Sequence, residues 1–170
     1  GLNYTVHPIN IGVGDQRTPE FQKISANNKI PAIIDHDTGV SLMESGAILI
    51  YLAEKHNQFL PTSGVERAAV MEWLMWQMAG LGPMLGQAHH FLHFNPGKSE
   101  YAEFRFQNEV ARLYGVLERR LSGRDYICDE YSIADMACWP WISRYEWQRV
   151  TLADYPNVRA WYKRLLARDA

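Results

Sequence analysis

The sequence has few cysteines, which argues against a disulfide-stabilised scaffold. Of its 170 residues only Cys128 and Cys138 are cysteines, and their spacing matches neither a CxxC pair nor a zinc-ligand pattern. Cysteine is among the residues most often buried, so we expect two small buried thiols. The alternative is a reactive thiol of low pKa, which needs a cationic or helix N-terminal setting.

The sequence also lacks a strong charge bias and a long apolar run. Its 17 Lys and Arg residues are scattered and face 19 Asp and Glu residues, which gives no electrostatic footprint for nucleic acid or an anionic membrane. The longest apolar stretch, SGAILIYLA, is far shorter than the ~20 residues of a membrane span. The first residues, GLNYTVHP, do not resemble a signal peptide. We therefore expect a globular, cytoplasmic protein with no nucleic-acid or membrane partner.

The first part of the chain alternates strand and helix signals. Apolar Leu2, Tyr4 and Val6 alternate with polar residues, which predicts a strand. Thr18-Pro19 is typical of an N-cap followed by proline at the first helical position. The predicted elements are a strand at 2–6, a short helix after 18–19, a hairpin with strands at 31–35 and 40–42, and a helix at 44–55.

The rest of the chain is predicted to be helical. The stretch 56–66, which contains LPTSG, is the best candidate for a linker. Helical periodicity follows at 65–94, 99–122, 132–147 and 155–168, with Pro83 and neighbouring glycines expected to kink or interrupt the first helix. The predicted fold class is α+β, with an incomplete α/β domain at 1–55 and an all-α domain at 67–170.

A capping box is the clearest local signal. Ser132 can cap a helix that begins at Ile133, and the Asp135 carboxylate can reach back to the Ser132 N–H. Because both halves of the box serve the helix, we assign Ser132 and Asp135 a structural role.

Two segments together could hold a small anionic peptide. If the peptide bond before Pro31 is cis, the backbone of Ile30 is free to pair with an extended peptide. A helix that begins near Glu44-Ser45 offers N–H groups and a hydroxyl to a carboxylate. The alternative is a trans proline that opens a strand, followed by an ordinary first turn of a helix.

The chain resembles the glutathione transferase superfamily over essentially its whole length. The resemblance rests on NKIPA, ESGAILIYL and SIADMA in this order, and the block from Trp76 through GLGPMLGQ to HHF narrows it to the bacterial nu class. That class is similar to disulfide-bond oxidoreductases and to the yeast prion-forming nitrogen regulator. The resemblance implies a thioredoxin-like first domain that binds glutathione and an all-helical second domain.

The resemblance also implies the site residues. Glutathione is expected to contact Gln16, Lys29, Ile30, Glu44, Ser45 and Arg105. The Ile30 backbone would meet the cysteinyl part, Glu44 and Ser45 the γ-glutamyl end, and Pro31 would shape the loop. In the family a strand and a helix carrying the sulfur-facing residue come first, so that residue is expected upstream of Gly1, and a further tail is expected after Ala170.

The expected protein is a homodimeric enzyme that reduces disulfides or peroxides with glutathione. Two alternatives are a non-catalytic regulator and a transferase that conjugates glutathione to apolar electrophiles. His89 and His93 lie one helical turn apart and could hold a metal, but no third ligand is placed nearby. We predict no metal site, because the resemblance assigns this block to the wall of the substrate cleft.

Overall fold

The computed structural model describes residues 2–168 and divides into two compact units, one ending at Leu52 and the other beginning at Ala53. The helices are α1 Pro19–Gln22, α2 Ser45–His56, α3 Gly64–Trp76, α4 Gly82–Ala88, α5 Glu100–Arg120, α6 Ile133–Ile142 and α7 Pro156–Leu166. The strands are β1 Ala32–Asp35 and β2 Val40–Met43. The boundaries at 55 and 67 that the sequence predicts for the domains remain a prediction.

The first unit is built on a short capped helix and a hairpin. Thr18 Oγ accepts a hydrogen bond from the Phe21 N–H at 3.3 Å, and Pro19 begins α1 as predicted. β1 and β2 pair antiparallel, with Ala32 opposite Met43. Gly39 closes the turn with a φ of +72°, a backbone conformation that glycine adopts without steric strain because it has no Cβ. The predicted hairpin is confirmed.

The strand predicted at 2–6 is wrong. Residues 2–10 form no regular structure, and Tyr4 and Val6 are 82% and 71% exposed. A strand needs a neighbour for its backbone N–H and C=O groups and a surface that buries one face. The sheet formed within residues 2–168 contains only β1 and β2, so apolar alternation alone does not make a strand here.

Helix α2 is tied to the hairpin by side chains. The Tyr51 hydroxyl donates to Asp35 Oδ2 at 2.6 Å and lies 2.9 Å from Thr38 Oγ1. Ile48 of this helix is buried. These contacts attach the middle of α2 to the hairpin, so the helix that begins at the candidate site is held beside the strands.

The second unit is all-helical, as the sequence predicts. The predicted helix at 65–94 is helical throughout, but α3 and α4 are separated by a π-helical turn, Gln77–Leu81, and a second π-helical segment, His89–Phe94, follows α4. Pro83 lacks an N–H, so the regular α-helical hydrogen bonding cannot run unbroken past it. The predicted interruption thus takes the form of a π turn. No helix within residues 2–168 combines the length and apolarity needed to cross a membrane.

The core of the second unit surrounds the capping box. Ser132 Oγ accepts from the Ala134 N–H at 3.3 Å, and Asp135 Oδ2 accepts from the Ser132 N–H at 3.0 Å. Asp135 is fully buried and its Oδ1 also accepts from the Ile127 N–H at 2.9 Å and the Trp161 indole N–H at 2.8 Å. The aspartate therefore joins α6, α7 and the preceding loop, a role that the sequence pattern did not predict.

Candidate functional site

The loop before β1 is held by one buried serine. Ser25 Oγ donates to the Lys29 carbonyl at 2.9 Å and accepts from the Lys29 N–H at 3.4 Å. The loop leads into Ile30, which is joined to Pro31 by a cis peptide bond and is 51% exposed. No backbone hydrogen bond involves Ile30 among the described residues. A free N–H and C=O are therefore presented at the loop's surface.

The start of α2 lies beside this loop. Asn27 Nδ2 donates to Glu44 Oε1 at 3.3 Å, and Ser25 Oγ is 4.0 Å from Met43 Sδ. Glu44 has a φ of +71° and its carbonyl accepts from the Ile48 N–H, so the chain turns sharply into the helix at Ser45. The site combines an exposed carboxylate, a hydroxyl and a helix N-terminus. The carboxylate can bind the amino group of a terminal amino acid, and the hydroxyl and the helix N–H groups can bind its carboxylate.

Two further predicted residues belong to the same unit. Gln16 lies in a 3-10 turn, Asp15–Arg17, before α1, and its amide donates to the Ile11 carbonyl at 3.5 Å. Its Oε1 is buried and has no hydrogen-bond partner within the described residues. Lys29 is exposed and next to Ile30. The structure thus brings Lys29, Ile30, Glu44 and Ser45 into one region of the first unit.

Arg105 is the one predicted contact outside the first unit. It is exposed on α5 in the second unit, and its guanidinium carbon is 5.9 Å from the centroid of the Phe106 ring. Its role stays a prediction.

The histidines that the sequence singled out lie in an aromatic cluster. His89 is buried and stacks on Trp141 with ring centroids 5.8 Å apart, while His93 stacks on Trp147 at 4.4 Å. Burial lowers the pKa of His89, and the charges of His93 and Arg144 lower it further. Within residues 2–168 no three His, Cys, Asp or Glu side chains are grouped so that they could hold a metal ion.

Glycine allows the close packing of α4 against Trp141. A Cβ at Gly82 would be 2.6 Å from Gln77 Nε2 and 3.2 Å from the Trp141 indole, whereas a Cβ at Gly80 would meet nothing within 4 Å. Gln77 is only 3% exposed, so it has little room to move aside.

We expect Gly82→Ala to lower the free energy of unfolding by about 1–3 kcal/mol, because overpacking a filled core forces neighbours to shift. The matched substitution Gly80→Ala should be neutral or slightly stabilising, since alanine favours helix. Urea denaturation of both variants measures this. Equal stability of the two would show that the contact at Gly82 does not restrict the packing.

Both cysteines are poor nucleophiles. Cys138 is fully buried, and this burial raises the pKa of its thiol well above the usual value. Burial raises the pKa of Cys128 to about 11, although the nearby Arg120 acts in the opposite direction. Both are free thiols, but the predicted burial is confirmed only for Cys138, because Cys128 is half-buried.

Two family models match this chain. The glutathione S-transferase N-terminal domain matches residues 1–54, and the glutathione S-transferase C-terminal domain matches residues 81–169. The chain belongs to the glutathione S-transferase family. The predicted family and the predicted fold class are confirmed.

Similar proteins agree with the predicted class. The chain is 52% identical to the disulfide-bond oxidoreductase YfcG of Escherichia coli, with 99% of this chain and 81% of that protein covered. It superposes with a TM-score of 0.91 and 41% identity on a glutathione transferase from Burkholderia graminis that has two glutathione molecules bound per subunit, covering 98% of this chain and 75% of that one.

A third match carries an oxidised ligand. The structure of a glutathione transferase from Pseudomonas putida, with one glutathione disulfide bound per subunit, gives a TM-score of 0.90 at 42% identity. The alignment covers 98% of this chain and 77% of that one. The predicted closeness to the bacterial disulfide-bond oxidoreductases is confirmed.

Some residues of this chain were missed by sequence reasoning. Neither Ser25 nor Asn27 was singled out in the sequence, yet Ser25 holds the loop that leads to Ile30 and Asn27 contacts Glu44. Gln148 was not singled out at all, although it is fully buried between Tyr114 and His89. The sequence around such a residue carries no signal of its hydrogen-bond partners, because these come from distant parts of the chain.

Proposed function

We propose that this protein binds glutathione in its first unit and uses it to reduce disulfides or peroxides. The proposal rests on two elements that lie close together: the free backbone of Ile30 and the helix start at Glu44-Ser45. The Asn27 side chain, from the loop before Ile30, links them by donating to Glu44. An extended peptide can pair with the first while its charged end binds the second. The similarity to YfcG and to the glutathione-bound transferases supports this ligand.

Each part of glutathione has a proposed contact. The Ile30 backbone pairs with the cysteinyl residue, Glu44 accepts from the γ-glutamyl amino group, and Ser45 donates to the γ-glutamyl carboxylate. Lys29 is proposed to meet the glycyl carboxylate. Gln16 and Arg105 are proposed as further contacts, and the unpaired Oε1 of Gln16 supports its assignment.

The proposed reaction needs no thiol from the protein. A glutathione thiolate attacks one sulfur of the substrate disulfide, forming a mixed disulfide, and the other substrate sulfur leaves as a thiolate that takes a proton from solvent. A second glutathione thiolate then attacks the glutathione sulfur of the mixed disulfide, and the remaining substrate sulfur leaves as a thiolate that is protonated by solvent. The products are glutathione disulfide and two substrate thiols. Relatives that bind two glutathione molecules or glutathione disulfide support this sequence.

Two assays on the protein separate this reaction from the alternatives. We expect glutathione-dependent reduction of bis(2-hydroxyethyl) disulfide, with little conjugation of glutathione to 1-chloro-2,4-dinitrobenzene. Conjugation without disulfide reduction would assign the protein to the transferases that act on apolar electrophiles. Glutathione binding with neither activity would indicate a regulator.

The cysteines give a prediction about the source of the reacting sulfurs. We expect the double variant Cys128→Ala and Cys138→Ala to keep most of its glutathione-dependent disulfide reductase activity, because high pKa values leave both thiols protonated at neutral pH. The measurement is kcat/KM of the variant, with its folding checked by circular dichroism. A folded variant without activity would mean that a protein thiol takes part.

The proposed assembly is a homodimer, and the proposed second substrate is a small disulfide, peroxide or electrophile. These two proposals rest on the family resemblance.

A further inference from the structure

Asn27 ties the loop before Ile30 to the carboxylate that precedes α2. Its side-chain amide lies 3.3 Å from Glu44 Oε1, although the two residues are 17 positions apart. An ionised carboxylate can only accept hydrogen bonds, so the amide atom that faces it must be the nitrogen. This is the one hydrogen bond of the Glu44 side chain within residues 2–168, and no ion pair among them includes Glu44.

The backbone at Glu44 is fixed, but its side chain is held only by this contact. Glu44 has a φ of +71°, and its carbonyl accepts from the Ile48 N–H at 2.9 Å. The side chain is exposed, and a glutamate side chain in water moves among several rotamers. Holding it in one place costs side-chain entropy, so a partner that holds it before a ligand arrives favours binding.

The position of Asn27 is itself set by the loop. The buried Ser25 hydroxyl donates to the Lys29 carbonyl at 2.9 Å, and the Ser25 carbonyl accepts from the Asn28 N–H at 3.0 Å. Asn28 has a φ of +53°, a left-handed conformation that asparagine adopts more readily than most residues. Asn27 lies inside this closed turn, so its amide extends from a backbone that is already hydrogen-bonded.

The amide of Asn27 is a neutral donor, which has a chemical consequence. An arginine or lysine would also hold the carboxylate, but its positive charge would compensate the negative charge that attracts an ammonium group. An asparagine amide occupies one oxygen and leaves the charge in place. The second oxygen, Glu44 Oε2, has no partner within residues 2–168 and can accept from a ligand.

We propose that Asn27 is a positioning residue that holds the Glu44 carboxylate, with its charge uncompensated, for the γ-glutamyl ammonium group of glutathione. The inference rests on the proposed function and names the residue that makes the γ-glutamyl end of the site selective for an amine. Asn27 acts through Glu44 and makes no contact of its own with the ligand. Ligands that lack the amine therefore gain no affinity from Asn27.

Calorimetric titration with two ligands tests this role. Glutathione and glutaryl-cysteinyl-glycine differ only in the amino group, so the ratio of their affinities isolates the contact made by Glu44. We expect Asn27→Ala to lower this ratio about 3–10-fold, the effect of one hydrogen bond, and to leave the affinity for the glutaryl ligand unchanged. A merely structural role would weaken both ligands equally, so an unchanged ratio in the folded variant would overturn the proposal.

A second substitution tests the importance of the charge. In Asn27→Lys the new side chain can still donate to Glu44, but it brings a positive charge. We expect the ratio to fall further than in Asn27→Ala, and a ratio equal to that of the unsubstituted protein would overturn the need for an uncompensated carboxylate. The matched controls Asn3→Ala and Asn3→Lys change an exposed asparagine of the same unit and should leave the ratio unchanged.

The two ways in which the inference could fail are distinguishable. In the Glu44→Gln background, Asn27→Ala should have no further effect on the ratio, because both residues act on the same contact. If the unsubstituted protein binds glutathione no better than the glutaryl ligand, the proposed γ-glutamyl contact is wrong and the inference falls with it. If the unsubstituted protein prefers glutathione and the Asn27 variants keep this preference, only the role of Asn27 is wrong.

Discussion

Replacing Asp135 with alanine should lower the free energy of unfolding of the helical unit by about 3–5 kcal/mol, several times the ~1 kcal/mol that a lost helix cap costs. The carboxylate accepts hydrogen bonds from the Ile127, Ser132 and Trp161 N–H groups. Alanine would leave these donors without a partner in a fully buried site, and each unsatisfied donor costs about 1–3 kcal/mol. Urea denaturation followed by tryptophan fluorescence measures the loss.

Controls separate this network from a general effect of losing a carboxylate. Asp125→Ala removes an exposed aspartate whose partner is Arg164, and such surface pairs contribute about 0–1 kcal/mol. Trp161→Phe should be destabilising by itself but less so in the Asp135→Ala background, because the two share one hydrogen bond. Additive losses, or an Asp135→Ala cost near 1 kcal/mol, would show that the aspartate acts only as a cap.

The second large effect concerns glutathione affinity. We expect Glu44→Gln to weaken binding about 10–100-fold, because a hydrogen bond between charged groups contributes about 1.5–3 kcal/mol. Ser45→Ala removes a single hydroxyl and should weaken binding about 10-fold for the loss of about 1.4 kcal/mol. Isothermal titration calorimetry measures both.

The matched control for the hydroxyl is Ser41→Ala, which removes an exposed hydroxyl from β2 of the same unit. Its affinity for glutathione should equal that of the unsubstituted protein. Unchanged binding in the Ser45→Ala variant would mean that the γ-glutamyl site is placed wrongly.

The elements whose signal is local could be predicted from the sequence. The hairpin follows from β-branched residues around a turn that ends in Gly39, and the start of α6 follows from the spacing of Ser132 and Asp135. The prediction of a strand at 2–6 was wrong because a strand needs a partner segment, which the local sequence does not reveal. Alternating apolar residues show that one face of a strand could be buried, but they do not show that another part of the protein covers it.

The candidate site also contains parts that could be predicted from the sequence and contacts that could not. The motifs at Ile30 and Glu44 could be found because each is short and continuous, whereas the Asn27 hydrogen bond that links them spans 17 positions. Asp135 was found as half of a cap, but its bond to Trp161 spans 26 positions and could not be foreseen. The side chains of His89 and Gln148 lie 2.9 Å apart, although the two residues are 59 positions apart in the sequence. Side-chain networks of this kind appear only once the packing of helices is known.

Recognition of the γ-glutamyl amino group of glutathione by Glu44 is tested most directly by a calorimetric cycle. The protein and its Glu44→Gln variant are each titrated with glutathione and with an analogue that lacks this amino group. If Glu44 makes this contact, we expect the unsubstituted protein to prefer glutathione by at least about tenfold, which corresponds to about 1.4 kcal/mol, and the variant to lose this preference. Equal affinity of the unsubstituted protein for both ligands, or a preference that survives in the variant, would contradict it.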